Sequence, residues 1–281
     1  TFKAGRFASL PRKILVVTQF TVSITLIIAT LIVFRQIQFA KDRAPGFSRD
    51  GLITVAINTP DLEKHYDAIQ NDLLQTGQVL NMAKASQSPA HFGNNNSVKW
   101  RDKDPSLVIF FRNVDVSAEF GKTVSWMIKE GRDFSTEMPA DSASAIINET
   151  ALKIMGLKEP VGEVIEFHGK EYTIVGIVKD MTTQSPYRPN EPAIFFTDGW
   201  KGLALIRLND RTPVREALAA VEQVFKRHNP NAPFEFSFVD ADYERKFSNE
   251  EKIGSLSGFF AVLAVFISCL GLFGLASYVA E

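Results

Sequence analysis

The run GSLSGFFAVLAVFISCLGLFGLASYVA, Gly254–Ala280, holds twenty-seven residues without one charged side chain. At about 1.5 Å of rise per residue it is longer than a crossing of the ~30 Å hydrocarbon core of a bilayer requires. It therefore predicts a transmembrane helix. Within it Gly254, Ser257, Ala261, Ala264, Ser268 and Gly271 recur at alternating steps of three and four, so one helical seam carries only small residues. Phe259, Phe260, Leu263, Phe266, Ile267, Leu270 and Phe273 occupy the other faces. In lipid, small residues let two backbones approach closely, and three-four spacing suits the shallow crossing of long packed helices. This seam is the candidate packing surface of the chain.

A second span lies at the other end. Residues 1–13 carry Lys3, Arg6, Arg12 and Lys13 with no acidic residue, and Ile14–Phe34 then runs for twenty-one residues without charge. That run is too long for the apolar core of a cleavable signal, and no small-x-small site closes it. The basic flank places Thr1 in the cytoplasm by the positive-inside rule, residues 35–253 outside, and Glu281 inside again. Lys41 and Arg43 flank the span on its outer side, where a long translocated loop is largely exempt from the rule. Thr18, Thr21 and Thr25 share one side of this helix; Gln19, Ser23 and Thr30 share another. Hydroxyls in lipid bond back to their own helix or across to a neighbour. Neither row holds an ionisable group, so neither suggests an ion pathway.

Both spans extend outward as helix. RQIQFAKDRA follows Phe34 until Pro45-Gly46 stops it. Ser248 with Glu251 reads as a capping box that starts the final helix ahead of its apolar part. Asn249–Ala280 is thirty-two residues, about 48 Å at the helical rise. Gly254 leaves two shorter helices as the alternative. Beginning at Thr1 and ending just beyond a span, the chain reads as a piece of a longer polypeptide.

The 281 residues carry a formal charge of −1, which suggests neither nucleic acid nor an acidic substrate as partner. Cys269, the one cysteine, lies in the final apolar run, so no disulfide or thiolate cluster is built. Between the spans the pattern is α+β. Leu52–Ile57 reads as strand, Asp61–Thr76 as helix and Val79–Ser86 as strand; Leu203–Leu208, Pro213–His228 and Phe234–Val239 repeat that order. Two β-α-β units around an insertion predict a split, ferredoxin-like sheet with helices on one side. The insertion carries further strands at Leu107–Val116, Ala145–Asn148, Glu163–His168, Glu171–Val178 and Ala193–Phe196. It also holds a hairpin turn at His168-Gly169-Lys170-Glu171 and a short helix Glu149–Met155 closed by Gly156; His91–Ser97, leading into it, reads as a mobile surface loop.

No motif assigns a catalytic, cofactor or metal site. His65, His91, His168 and His228 are isolated, without metal-ligand spacing. Gly121-Lys122-Thr123 has the end of a phosphate loop, but the position of its first glycine is Val116. The serines lack a nucleophile-elbow frame, and Asp141, Asp180, Asp240 and Asp242 show no logic for a carboxylate dyad. Asn148-Glu149-Thr150 matches a glycosylation acceptor formally.

Glu130-Gly131-Arg132-Asp133-Phe134, Ala145-Ile146-Ile147-Asn148-Glu149-Thr150-Ala151, Pro160-Val161-Gly162 and Tyr172-Thr173-Ile174-Val175-Gly176-Ile177-Val178-Lys179-Asp180 resemble the periplasmic core of FtsX-like, MacB-type ABC transporter permeases. Gln19-Phe20-Thr21-Val22-Ser23-Ile24 and Ser268-Cys269-Leu270-Gly271-Leu272-Phe273-Gly274-Leu275-Ala276 resemble the membrane segments of the large Bacteroidetes-type members. The resemblance implies a permease segment that transmits ATP-driven motion across a bacterial inner membrane to a periplasmic head, the second half of a two-repeat permease. The implied partners are a cytoplasmic ABC ATPase, a second permease copy or repeat, the lipid bilayer, and a periplasmic adaptor or outer-membrane component. ATP hydrolysis would then belong to the ATPase, and the chain itself would be no enzyme. The expected division is 1–13 as cytoplasmic flank and 14–34 as membrane helix with a stalk to about residue 44. The head then has 47–96 with 199–247 as a porter-like part and 97–198 as the β-rich insertion, before 248–280 as stalk and membrane helix. Two spans around an external α/β domain are also the layout of a sensor receptor or of a membrane-anchored enzyme.

Overall fold

The computed structural model describes residues 9–42, 45–104, 106–183 and 187–280. They form two compact units: the two long terminal helices, and Ala44–Arg245. Helix α1 (Ser9–Asp42) covers the first apolar run and continues beyond it.

The head begins with β1 (Leu52–Ala56) and two short helices, α2 (Pro60–Lys64) and α3 (Tyr66–Gln75). Thr59 caps α2, its hydroxyl accepting the Leu62 N–H, and Pro60 occupies the first turn, where a missing N–H costs nothing. The single helix expected over Asp61–Thr76 breaks at His65, whose backbone leaves helical geometry at φ −100°, ψ 11°; no glycine or proline marks that break in the sequence. Next come β2 (Val79–Ala85), β3 (Asn95–Ser97), β4 (Lys99–Trp100) and β5 (Phe110–Asp115). Helix α4 (Phe120–Val124), β6 (Ile128–Gly131), β7 (Ser144–Asn148) and α5 (Glu149–Met155) follow. The chain continues through β8 (Val164–Phe167), β9 (Lys170–Val178), β10 (Ala193–Phe196) and β11 (Leu203–Leu208). It then runs α6 (Val214–His228), β12 (Phe236–Phe238), α7 (Val239–Glu244) and α8 (Ser248–Ala280).

Strands β12, β1, β11 and β2 form one sheet in that order, and every neighbouring pair is antiparallel. Two crossovers, β1 to β2 through α2 and α3 and β11 to β12 through α6, interleave to give the ferredoxin-like order. Ile53, Val55, Met82 and Ile206 pack on Ile69, Leu73, Val221 and Phe225 of α3 and α6. The other face of the same strands, Leu52, Ala83 and Leu205, is also buried.

The second sheet runs β3-β5-β10-β7-β9-β8-β4, with β6 added to β9. Its two ends, β3 and β4, are separated only by Val98, so the segment Asn95–Trp100 pairs with β5 through one half and with β8 through the other. The sheet thereby closes on itself as a barrel. Val98, Phe111, Ile147, Ile165, Ile174 and Phe196 fill it, and Ala151 and Met155 of α5 pack against that core. Residues alternating with these, Val114, Ile146 and Phe195, join Leu52 and Leu205 of the first sheet in a shared core with Phe120 and Trp126. The head is therefore α+β, with one sheet under helices and a β-rich body inserted between its halves.

Several local readings change. The loop expected at His91–Ser97 is pinned instead: Gln87 Oε1 accepts the Gly93 and Asn94 N–H groups, and Asn95–Ser97 is a paired strand. The strand expected over Phe234–Val239 shortens to β12, because Asp240 and Asp242 suit the first turn of a helix and Asp242 accepts the Ser237 hydroxyl at 2.9 Å. At the β8–β9 hairpin, His168 and Gly169 both take positive φ, 51° and 78°, the type I′ geometry that matches sheet twist. Helix α8 passes through Gly254 unbroken, which removes the alternative of two shorter helices. The chain is already helical ahead of Ser248, through α7 and a 3-10 turn at Arg245–Phe247, so α8 is entered from a helical turn and not from an extended capping-box residue.

Candidate functional site

Helices α1 and α8 pack antiparallel. From Glu251 to Gly274 of α8, the residues withdrawn from the surface are Gly258 and the six of the small-residue seam, Gly254, Ser257, Ala261, Ala264, Ser268 and Gly271. On α1 the withdrawn positions include Val16, Ser23, Thr30 and Ile37, seven residues apart, the repeat expected of long helices crossing at a shallow angle.

Each contact follows from side-chain size. A Cβ on Gly254 would stand 3.3 Å from Ile37 Cδ1, and one on Gly271 would stand 3.2 Å from Gln19 Oε1. Between them lies a polar cluster. Ser268 Oγ donates to Ala264 O at 2.8 Å, which leaves it as acceptor for the Ser23 hydroxyl at 2.9 Å and for Gln19 Nε2 at 3.4 Å. Thr30 Oγ1 donates back to Leu26 O at 2.8 Å and lies 3.4 Å from Ser257 O. Lys41 and Glu251 form an ion pair at the outer end of the pair. The two hydroxyl rows of α1 thus divide: Thr21 and Thr25 bond back to Val17 O and Thr21 O, whereas Gln19, Ser23 and Thr30 face α8.

In the head, residues weighed for chemistry are structural. Arg132 donates both terminal nitrogens to Asp141, at 2.9 and 2.7 Å; Ser135 N–H and Ser144 Oγ add further bonds. Burial pushes the Asp141 carboxyl up, but Arg132 and these hydrogen bonds outweigh it and hold the group below the usual carboxylate range. Asp180 accepts Thr150 N–H and Oγ1 at the start of α5. Asp242 accepts Arg245, and Asp240 accepts the Ala241 N–H. Asn148 is buried, capping α5 through Ala151 N–H and accepting Ala193 N–H, so it is inaccessible as a glycosylation acceptor.

Gly121 is explained by packing. A Cβ there would come 2.0 Å from both Asp133 Oδ2 and Trp126 Nε1, the two atoms of a 2.9 Å hydrogen bond. Burial raises the Asp133 carboxyl above its ordinary value. Gly131 and Gly176, both in the stretches that carried the family resemblance, face each other across β6 and β9; a Cβ on Gly176 would lie 2.2 Å from Arg132 O. The histidines read as isolated include one pair: His65 and His228 have ring centroids 5.8 Å apart, and His228 Nε2 bonds Asp72 at 2.9 Å. Among the described residues no group of three His, Cys, Asp or Glu side chains could hold a metal.

Sequence reasoning missed Arg207. It is buried one residue from the end of β11, donating to Thr123 O at 3.0 Å, Ser48 O at 2.8 Å and Asp50 O at 2.5 Å. Its position inside an otherwise apolar strand, LALIRL, was the available signal.

Residues 15–224 match the family model of the MacB-like periplasmic core domain. The fold is similar to the crystal structure of the periplasmic region of MacB from Actinobacillus actinomycetemcomitans, at 12% identity and a TM-score of 0.51, covering 73% of this chain and 96% of that one. Weaker likenesses are the extracellular domain of the noncanonic ABC-type transporter YknZ from Gram-positive bacteria (9% identity, TM-score 0.47, covering 66% and 97%) and a permease-protein domain from Porphyromonas gingivalis (14%, 0.45, covering 68% and 91%). No curated protein matches the chain in sequence. With a family match across most of its length and an apolar helix long enough to span a membrane at either end, the chain belongs to the MacB-like periplasmic core domain family and is a MacB-type ABC transporter permease component.

Proposed function

We propose that this chain is the mechanotransmission segment of the permease: α1 and α8 cross the inner membrane, and their relative movement carries work from a cytoplasmic ATPase to a periplasmic head. The carrying observation is the small-residue seam that joins the helices along their membrane length by one 2.9 Å hydroxyl pair, Ser23 with Ser268, and otherwise by contacts near 3.4 Å, uncharged except for Lys41 with Glu251 at the outer end. Hydrogen bonds between membrane helices average only ~0.6 kcal/mol, so such an interface holds a register without locking it, as a two-position device requires. The head divides into a porter-like part, 47–96 with 199–247, and the insertion, 97–198, that bears the barrel except for the first two residues of β3. Residues 35–253 are periplasmic in this reading, and the chain is the second repeat of a two-repeat, multi-pass permease. The ATPase supplies hydrolysis, and an adaptor or outer-membrane component meets the head.

Replacing Ala261 and Ala264 with leucine in the complete transporter tests this. The account expects normal assembly, retained ATP hydrolysis and export reduced by about tenfold or more, because overpacking a tight interface costs ~1–3 kcal/mol. Export unchanged in a folded, leucine-bearing transporter would refute the moving interface.

A further inference from the structure

The loop 197–202, which returns the chain from β10 to β11, holds a tryptophan outward on a stiff frame. Lys201 Nζ donates to the carbonyls of Thr197 and Gly199, each at 2.7 Å, and Thr197 Oγ1 donates to Asp141 O at 2.7 Å. Trp200 is 71% exposed, yet one side of its ring rests on Gly202, where a Cβ would come 2.1 Å from a ring carbon. A glycine thus lays the indole against the backbone and leaves the opposite face to solvent. Trp200 borders an open cavity of about 240 Å³, lined also by Glu63, Lys84, Ser117 and Thr197.

The chemistry of the cavity narrows its occupant. It is smaller than the ~300–1,000 Å³ of drug-sized sites, so it takes about one ring. An extended peptide finds no free strand edge there, because the Lys84 N–H donates to Ser117 Oγ at 3.0 Å and Lys84 O accepts the Ser117 N–H at 2.9 Å. A small anion would meet the Glu63 carboxylate, 4.0 Å from Lys84 Nζ, while the Lys201 ammonium is turned to its own loop. What fits is a neutral ring with one C–H-rich face and several hydroxyls. The C–H bonds complement the negative face of the indole, and the hydroxyls both accept and donate, matching an ammonium and a carboxylate side by side.

We infer that this cavity binds a neutral pyranose residue, its C–H face on Trp200 and its hydroxyls on Glu63 and Lys84. The sugar comes free or as the head of a glycolipid, and the two sources are separable by experiment. The full chain, purified in a non-glycosidic detergent, is titrated calorimetrically with maltose and with N,N′-diacetylchitobiose, and in parallel mixed with vesicles containing a glucosyl-headed lipid. Saturable binding in at least one arm is expected. Trp200→Ala should weaken it about tenfold, the worth of one aromatic contact, and Glu63→Gln or Lys84→Met several-fold. The exposed position of Trp200 predicts an unchanged unfolding temperature for Trp200→Ala, so lost binding would not report lost folding. No saturable binding in either arm, or equal binding by Trp200→Ala, overturns the inference. Binding of a peptide but of no sugar, abolished by Trp200→Ala, overturns it as well.

Discussion

At the scale of single residues, the head is held by buried polar groups that satisfy backbone. Arg207 ties β11 to the segment before β1 and to the end of α4 through three carbonyls, and burial lowers its hold on its proton. Truncating it strands those acceptors, so Arg207→Ala should destabilise the head by about 3 kcal/mol. Arg207→Lys should rescue little, since one ammonium cannot span the fork; denaturant unfolding of the purified chain measures both. Asp141 gives a pH signature. Its carboxyl lies below the unfolded value when folded, so its contribution is present above about pH 4 and is lost as pH falls through the folded value. Asp141→Asn should lower stability at pH 7 by about 1–3 kcal/mol. Its stability should then fall less steeply than wild type as pH drops below about 4; an unchanged acid profile would remove Asp141 from the account.

At the scale of elements, legibility followed the period of the apolar pattern. Strand β11 and helix α5 stand where a short apolar run and capping residues predict, because a local pattern dictated them. The six small residues of α8 were visible as a row, but which helix they face depends on three-dimensional packing that one strand of text does not contain. Strands β3 and β4 were invisible for a related reason. Asn95, Asn96 and Ser97 have low strand propensity, and their pairing comes from partners at Phe110–Arg112, with Asn96 Nδ2 donating to Asn113 Oδ1 at 2.9 Å. Gly176 shows how a family stretch becomes physics. Beside an irregularity in register between β7 and β9, it lets the Arg132 carbonyl approach where any side chain would collide.

At the scale of the whole molecule, the family match and the paired helices describe a permease component whose membrane part is a weakly bonded, close-packed pair. The central claim is that this pair must shift for transport. Ser23 and Ser268 have oxygens 2.9 Å apart, so cysteines at both positions lie within reach of a disulfide. The measurement is export by the complete transporter carrying Ser23→Cys and Ser268→Cys, with Cys269→Ser to silence the native thiol, before and after oxidation. The account predicts that oxidation stops export while ATP hydrolysis continues, and that reduction restores it. Export at the reduced rate from a fully cross-linked transporter would contradict it.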